Sequence, residues 1–409
     1  MTRVSILHYA APPVVGGVES TIYHHARLLA KAGLQVEVLA GRGEPFHASV
    51  AFHPIPELDS NHPAVLEIGQ LLAHTRVDEK FYRLRDQIAE KIRPILAISQ
   101  ACIVHNALTL HKNLALTAAL RLLSEEGATS YIAWSHDFAW QDNLYTPDLH
   151  SGYPWDLLRE PWPGVRYVVV SKHRRERLSG LLGLPEGDIQ VVTPGVDLLQ
   201  FLKLEPLTIH LVERLNLLEA EPLVLLPSRI TRRKNIEFAI RMTAAVQPHV
   251  PNMVLLVTGP PGPHNPKNIS YLERLRSLRL ELGLQGQVIF LYELGEDARP
   301  LHLPDEVISD LYRLADVLLF PSTREGFGIP VLEAGLARMP VIAADIPPIR
   351  ESTGELAELF DPLGDPLVAG RALLDRLEKD QAYQLRRRVM RDFTWQSIVQ
   401  KQIIPMLTT

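Results

Sequence analysis

The sequence predicts an α/β protein made of two Rossmann-like, doubly wound parallel-sheet domains. Three observations lead to this fold class. The length of 409 residues exceeds what one hydrophobic core usually supports. Short β-branched runs alternate with amphipathic helical segments, and this alternation restarts once after an interruption. With 46% apolar and 22% charged residues, the composition is that of an ordinary globular chain.

The first half opens with a strand, a crossover helix and a second strand. The runs are "VSIL", "VESTIYHHARLLAKAG" and "QVEVLAG". Ile22, Ala26 and Leu29 recur at spacings of three and four residues, which places them on one apolar helix face, and Gly33 is suited to end that helix. We expect further parallel strands in "ACIVHN", "YIAWSHD", "VRYVVVS" and "IQVVTPG".

The second half repeats the pattern with "PLVLLPSR", "NMVLLVTG", "QVIFLYE", "DVLLFPS" and "PVIAAD". Pro194 and Gly195 interrupt the alternation in "TPGVDLLQF", so the domain boundary is predicted there. We therefore expect a first domain over 1–195 and a second over 196–392. The segment 393–409 reads as an amphipathic helix that packs back towards the first domain.

Composition narrows the classes of partner. A formal net charge of −5 gives no general attraction to nucleic acid or to anionic lipid. The basic run "KHRRER" is interpreted as a solvated helix face. The single cysteine, Cys102, excludes an internal disulfide. No window is apolar enough for a membrane span and no leader pattern opens the chain, so membrane association is not favoured and a cytoplasmic location is expected.

An aromatic-rich segment, residues 138–164, breaks the alternation with three Trp, two Tyr and four Pro. A connection of this length is either a functional lid or an insertion packed on the surface. Its aromatic rings suit stacking on a sugar as well as they suit packing, and the sequence leaves both interpretations open.

The stretch "PSTREGFGIPVLEAG", residues 321–335, is the most informative about function. It follows the apolar run "DVLLF", and ligands of open parallel sheets bind beyond the carboxyl ends of strands. Gly326 and Gly328 let the backbone approach a ligand, and the unpaired amides of the following helix favour a phosphate. Glu325 and Glu333 then flank the anion and can accept hydrogen bonds from sugar hydroxyls. The alternative is that Glu333 only favours the helix dipole and Glu325 is solvated.

This stretch resembles the glutamate, seven residues, glutamate motif of retaining glycosyltransferase family 4. The resemblance implies the GT-B fold, in which two Rossmann-like domains face each other across a cleft. It also implies a donor site for a nucleoside diphosphate sugar in the second half. The implied donor-binding residues are Gly16, Gly17, Arg229, Lys234, Glu325, Gly326, Phe327, Gly328, Ile329 and Glu333.

The stretch "LPSRITRRKNIEFAI", residues 226–240, supplies the second part of the resemblance. Arg229 and Lys234 match the Arg and Lys with which the family neutralises the donor diphosphate. A guanidinium grips two oxygens and an ammonium acts as a movable point charge, so together they can offset leaving-group charge. Arg232 and Arg233 do not match, and we expect both to be solvated, with Asn235 as a helix cap.

Polar residues at strand ends of the first half complete the set. Gly16 and Gly17 precede a helix, where they serve either a ligand or a turn. His136 matches a histidine that the family brings to the donor sugar, against the alternative of a structural histidine. Asp137 is expected to orient it or cap a turn. His105 and Asn106 are candidates, with Asp137, for contact with the acceptor.

The sequence predicts no metal site and no cofactor. No zinc-binding helix motif is present, and His24 and His25 are adjacent, which puts their side chains about 100° apart on a helix. No D-x-D pair stands where a cation would bridge phosphates. The resemblance likewise implies metal-independent catalysis.

The predicted function is retaining transfer of a glycosyl group, with a UDP-sugar as the preferred donor, to the hydroxyl of a soluble small acceptor such as a sugar or sugar phosphate. His136, Glu325, Arg229 and Lys234 are the predicted catalytic residues. The alternatives are a glycoside phosphorylase on the same fold, a nucleotide-sugar epimerase, and a non-catalytic nucleotide-sugar-binding protein.

Overall fold

The computed structural model describes residues 2–74, 77–295 and 300–408. The chain divides into two compact units, Met1–Asp197 with Arg391–Thr409, and Leu198–Met390. The sequence placed the corresponding boundaries at residues 195 and 392.

The first unit contains one seven-stranded sheet in the order β3-β2-β1-β4-β5-β6-β7. All its paired strands are parallel. The strands are β1 (Arg3–Ala10), β2 (Gln35–Arg42), β3 (Val50–Pro54), β4 (Ala101–His105), β5 (Ser130–Ser135), β6 (Arg166–Val169) and β7 (Ile189–Val191). β1 pairs with both β2 and β4, so Val4 lies between Val36 and Ala101. The strand order reverses at β1 and β4, which is where a doubly wound sheet binds ligands.

Helices cover both faces of this sheet, and each face has its own buried apolar cluster. They are α1 (Gly17–Lys31), α2 (Pro63–Ala73), α3 (Glu79–Ala97), α4 (Leu114–Glu125) and α5 (Lys172–Leu182). In α1, Ile22, Ala26 and Leu29 are fully buried, as the helical spacing predicts. Gly33 has a φ of 89° just after this helix, a backbone conformation that glycine adopts readily.

The aromatic segment 138–164 is packed into the first unit. Phe138, Trp155 and Trp162 are almost completely buried and belong to the apolar cluster that includes β4 and α4 side chains. The segment forms short 3₁₀ turns at Ala139–Gln141, Thr146–Asp148 and Trp155–Leu158. Of the two interpretations, the structure therefore favours the packed insertion for these rings.

The second unit contains a six-stranded, entirely parallel sheet in the order β10-β9-β8-β11-β12-β13. The strands are β8 (Leu223–Leu226), β9 (Val254–Val257), β10 (Val288–Phe290), β11 (Val317–Phe320), β12 (Val341–Ala344) and β13 (Glu358–Phe360). They are short and buried because helices cover both faces. These are α6 (Leu198–Leu202), α7 (Pro206–Leu215), α8 (Ile236–Val246), α9 (Lys267–Glu281), α10 (Asp305–Leu314), α11 (Ile329–Leu336), α12 (Pro347–Thr353), α13 (Pro366–Lys379) and α14 (Gln381–Asp392).

The chain ends in the first unit. α15 (Trp395–Ile398), a π-helical turn (Val399–Ile403) and α16 (Ile404–Thr408) follow one another without a break. Trp395, Ile398 and Ile403 are buried in the same cluster as the apolar face of α1. The ring of Trp395 stacks on His24 with centroids 5.1 Å apart.

Candidate functional site

The candidate donor site lies at the point where the second sheet reverses its strand order. β8 and β11 are neighbours in the sheet, although β9 and β10 come between them in the chain. The loop after β8 carries Arg229 and Lys234, and the loop after β11 carries Glu325. Because the two strands are parallel, these loops meet beyond the carboxyl ends. This is the position at which open α/β sheets bind ligands.

A buried ion pair joins the two loops. Lys234 Nζ lies 2.5 Å from Glu325 Oε1, and both side chains are about nine-tenths buried. Arg233 Nη1 lies 2.8 Å from the other oxygen of the same carboxylate. The amide of Thr323 also donates to the carbonyl of Arg233 at 2.9 Å. Glu325 is therefore fixed between two cations and the backbone of the facing loop.

Burial and charge act oppositely on this pair. Burial alone raises the pKa of Glu325, but the hydrogen bonds from the cationic side chains outweigh it, so the pKa of Glu325 is lowered. Burial lowers the pKa of Lys234, and the Glu325 carboxylate offsets part of that effect. At neutral pH both groups are charged. The site thus holds a fixed carboxylate with an ammonium beside it.

The remaining basic residues of the loop differ in their environments. Arg229 is exposed, and within the part of the chain that the structure describes its guanidinium has no ion-pair partner. Arg232 lies over the ring of Tyr271 at 5.6 Å. Arg233 is exposed, as expected, but its guanidinium also binds Glu325, which the sequence did not indicate. Asn235 stands before α8 but does not cap it, since its side chain donates to the carbonyl of Pro362 at 2.9 Å.

The backbone between Glu325 and α11 has amides without partners. In the described residues, the amides of Gly326, Phe327 and Gly328 donate to no backbone carbonyl. Gly328 has a φ of 98°, a backbone conformation that strains other residues, and a Cβ there would lie 2.6 Å from Ile349 Cδ1. Gly326 is open, and Phe327 and Ile329 are 42% and 63% exposed. Together with the first turn of α11, these amides form a surface suited to an anion.

Glu333 lies on the first turns of α11 and is exposed. Its Oε2 accepts a hydrogen bond of 2.5 Å from the hydroxyl of Tyr312 on α10. Burial of Tyr312, reinforced by this carboxylate, raises the pKa of the phenol. The phenol therefore stays a donor and restricts the rotamer of Glu333. Sequence reasoning missed Tyr312, because nothing in the run "DLYRLAD" shows which loop it faces.

In the first unit, two of the residues predicted to contact the acceptor make hydrogen bonds within the protein. His105 is fully buried and Asn106 is 4% exposed, and contact of either residue with an acceptor stays a prediction. Asn106 has a φ of 57°, and its Oδ1 accepts from the amide of His136 at 2.7 Å. His105 Nδ1 lies 3.2 Å from His136 Nε2. Both residues support His136, which is partly exposed at the end of β5.

The other candidates of the first unit lie at the same edge of the sheet. The carboxylate of Asp137 forms an ion pair with Arg174 on α5, with Oδ1 and Nη2 3.0 Å apart. Arg175 pairs with Glu186 and Arg177 donates to Gln141, so these arginines of "KHRRER" have structural partners. Gly16 precedes α1 in extended backbone, which any residue adopts, and the atoms that a Cβ would meet there belong to the flexible side chain of Glu19. Gly17 has open space around it.

A glycine-rich loop after β9 also borders the donor site and was missed. Its backbone runs beside the loop after β8, since the Ile230 amide donates to the Pro260 carbonyl at 2.9 Å. A Cβ on Gly259 would lie 2.4 Å from the carbonyl oxygen of Ser228, so the approach requires glycine. The run "VTGPPG", glycine directly after an apolar strand, was an available signal.

Within residues 2–74, 77–295 and 300–408, no three His, Cys, Asp or Glu side chains are grouped so that they could hold a metal ion. None of the helices in those ranges has the length and apolar character needed to cross a bilayer.

Two family models match the chain. The model for glycosyl transferases group 1 matches residues 210–389, and the model for Glycosyltransferase Family 4 matches residues 15–199. Together they account for most of the sequence. The chain belongs to glycosyltransferase family 4. Family membership and two parallel-sheet α/β units assign it to the GT-B fold.

Similar proteins in this family carry several names. Mannosylglucosylglycerate synthase of Petrotoga mobilis is 27% identical over 277 residues, 62% of this chain and 61% of its own. D-inositol 3-phosphate glycosyltransferase of Nocardia farcinica is 30% identical over 184 residues, 44% of this chain and 38% of its own. These matches span less than two thirds of each relative. The solved structure of sucrose-phosphate synthase from Thermosynechococcus elongatus aligns with 100% of this chain and 99% of its own, at a TM-score of 0.39 and 18% identity.

Proposed function

We propose that this protein transfers a glycosyl group from a nucleoside diphosphate sugar to the hydroxyl of a small soluble acceptor, with retention of the anomeric configuration. One observation carries the proposal. At the strand-order reversal of the second sheet, the buried Lys234–Glu325 pair stands beside the first turn of α11 and the amides of 326–328, which donate to no backbone carbonyl of the described residues. This arrangement offers positive charge to a diphosphate and a carboxylate to sugar hydroxyls.

Each residue of the donor site then has a role. Lys234 and Arg229 offset the charge that develops on the departing diphosphate, together with the amides at the start of α11. Glu325 accepts a hydrogen bond from a hydroxyl of the transferred sugar, and Glu333 accepts one from the ribose. In the reaction the bond from the anomeric carbon to the diphosphate oxygen breaks and a bond to the acceptor oxygen forms. The acceptor proton passes to the departing phosphate.

The second unit then binds the donor and the first unit binds the acceptor, and His136 contacts the reacting sugar. No carboxylate is assigned as a nucleophile, and attack on the face from which the diphosphate leaves accounts for retention. The transfer needs no cofactor, and charge neutralisation by protein groups takes the place of a cation. A UDP-sugar is the first donor to test. The names of the two relatives favour hydroxylated soluble acceptors such as polyol phosphates and glycerate glycosides.

A thermal-shift panel tests the donor class. UDP, GDP and ADP, each alone and as the sugar conjugate, are added to the wild-type protein and to Lys234→Met. Stabilisation of the wild type by one base, with a smaller shift for the variant, supports the diphosphate site, because a ligand that binds the folded state raises the melting temperature. If no nucleotide at millimolar concentration shifts the melting temperature, the proposal is refuted.

An activity assay separates the competing functions. Release of the nucleoside diphosphate is measured with a panel of sugars, sugar phosphates and polyol phosphates as acceptors, and the anomeric configuration of the product is read by NMR. A phosphorylase would instead need inorganic phosphate and a glycoside. An epimerase would convert the donor without an acceptor. A binding protein would show the thermal shift without turnover.

A further inference from the structure

A cluster of buried rings supports the carboxyl edge of the first sheet. His8, His25 and His105 lie on β1, α1 and β4, and at most 6% of each residue is exposed. The rings of His25 and His105 are 5.8 Å apart, and each also contacts Trp134 on β5. His136 joins this cluster through its contact with His105. The hydrogen-bond geometry of this cluster therefore indicates which nitrogen of each imidazole carries the proton.

The first tautomer is set by a backbone carbonyl. His8 Nδ1 lies 3.0 Å from the carbonyl oxygen of His105. A carbonyl can only accept, so His8 carries its proton on Nδ1. This hydrogen bond also fixes the backbone at the end of β4, from which the His105 side chain extends. His8 therefore positions the residue that contacts His136.

A single N–H group donates in the hydrogen bond between the His105 and His136 rings. His105 Nδ1 and His136 Nε2 are 3.2 Å apart, with ring planes 30° from parallel. Burial is the largest cause that lowers the pKa of both rings, that of His136 to about 4, so both are neutral at pH 7. In a neutral pair one nitrogen donates and the other accepts. The donor is either His105 Nδ1 or His136 Nε2.

The surroundings of the other His105 nitrogen decide between these two arrangements. His105 Nε2 is buried without a hydrogen-bond partner, as are Trp134 Nε1 and both ring nitrogens of His25. Trp134 Nε1 always bears hydrogen, and neutral His25 has one N–H, so the cluster already contains two donors without acceptors. A proton on His105 Nε2 would add a third. A lone pair there leaves an acceptor unpaired instead. Buried N–H groups without a partner are rarer than buried acceptors without one, so the proton of His105 is assigned to Nδ1.

We propose that His105 is a positioning residue that donates from Nδ1 to His136 Nε2 and thereby fixes His136 as the Nδ1–H tautomer. His136 Nε2 is then occupied inside the protein. The nitrogen left for a ligand is Nδ1, which bears hydrogen and can only donate. Resting on the proposed function, this makes His136 a hydrogen-bond donor to an oxygen of the reacting sugar, and excludes it as a general base or nucleophile.

The tautomer can be measured without any substrate. The wild-type protein, labelled with ¹⁵N-histidine, is examined by long-range ¹H–¹⁵N correlation at pH 7.5. The His136 signals are assigned from their loss in His136→Gln. We expect protonated Nδ1 and unprotonated Nε2 at His136, and the same tautomer at His105. A proton on His136 Nε2, or a cationic His136, would overturn the proposal whether or not the protein proves to transfer sugars.

Kinetics with matched variants test the positioning role. His105→Leu removes the donor, whereas His105→Asn places an amide N–H near the position of Nδ1. His25→Leu is the control, because it removes a neighbouring buried imidazole that makes no hydrogen bond. We expect His105→Leu to lower kcat by about 10-fold to 100-fold, the usual cost of losing an orienting partner, with donor KM changed much less.

His105→Asn is expected to recover most of that loss, and His25→Leu to keep kcat near the wild-type value. Near-UV circular dichroism checks that each variant has kept its tertiary packing. Equal losses in His105→Leu, His105→Asn and His25→Leu would mean that the cluster serves packing alone. That result, like the wrong tautomer in the wild-type spectrum, would refute the positioning role of His105.

Discussion

Lys234 Nζ and Glu325 Oε1 are 2.5 Å apart, although 91 residues separate them in the chain. Each residue follows a different strand, and the two strands are neighbours only because the sheet reverses its order between them. The pair therefore joins the loops that form the candidate donor site. Since both side chains are largely buried, losing either partner leaves a charge with little access to water.

A double-mutant cycle measures this coupling. Lys234→Met is expected to destabilise the second unit by about 2–4 kcal/mol, because Glu325 then keeps only Arg233 as a cationic partner. Glu325→Gln in the same background should recover part of the loss, since neither charge remains at the pair. Hydrogen exchange of the β8 and β11 amides measures the stability of the second unit. Additive effects of the two substitutions would show that the charges are not coupled.

Glu325→Gln also tests the role of the carboxylate in turnover. The amide keeps the size of the side chain but loses the charge that binds sugar hydroxyls strongly. We expect turnover to fall by about 100-fold with nucleotide affinity nearly unchanged, because the loss affects the transition state more than the bound nucleotide. Calorimetry with the nucleoside diphosphate gives the affinity. Unchanged turnover would contradict the positioning of sugar by Glu325.

Alanine substitutions at Gly328 and Gly326 form a matched pair of variants in the loop before α11. Gly328→Ala is expected to cost about 1–3 kcal/mol, because alanine is strained at a φ of 98° and its Cβ meets Ile349. Gly326→Ala meets no atom within 4 Å and should change stability by less than about 0.5 kcal/mol. Thermal unfolding followed by far-UV circular dichroism compares them. Similar melting temperatures for the two variants would contradict the predicted strain.

The Tyr312–Glu333 hydrogen bond offers a test of the second carboxylate. Tyr312→Phe removes the donor and frees the rotamer of Glu333, which we expect to raise the KM of the donor by about 3-fold to 10-fold, the equivalent of one ordinary hydrogen bond. The value of kcat should change little. If the variant loses stability while the donor KM stays the same, Glu333 does not contact the donor.

Sequence reasoning succeeded where a local pattern determines the structure. The alternation of apolar runs and helical periods gave the parallel α/β class, and the two glycines with Pro330 indicated the turn into α11. It failed where a contact depends on elements distant in the chain. The ion pair of the exposed Arg233 was missed because its partner, Glu325, lies 92 residues away. The full burial of His105 was missed because a histidine at a strand end does not reveal how deeply the strand is buried.

All five tryptophans, at positions 134, 140, 155, 162 and 395, are in the first unit, so tryptophan fluorescence reports the unfolding of this unit alone. The unit is expected to lose stability in mild acid. Burial lowers the pKa of His8 to about 4 and, with neighbouring histidines adding to the effect, that of His25 to about 3. Both titrate near 6.5 when unfolded.

The sign of the effect follows from proton binding. Above pH 6.5 both states are neutral at these residues, and their contribution to stability is complete. Between about pH 6.5 and pH 4 the unfolded chain binds protons that the folded unit excludes, so stability falls as pH falls, by up to about 1.4 kcal/mol per pH unit for each such histidine. Urea unfolding at pH 7.5, 5.5 and 4.5 measures the slope. His25→Leu should reduce it, and a slope identical to that of the wild type would mean that His25 is protonated in the folded protein.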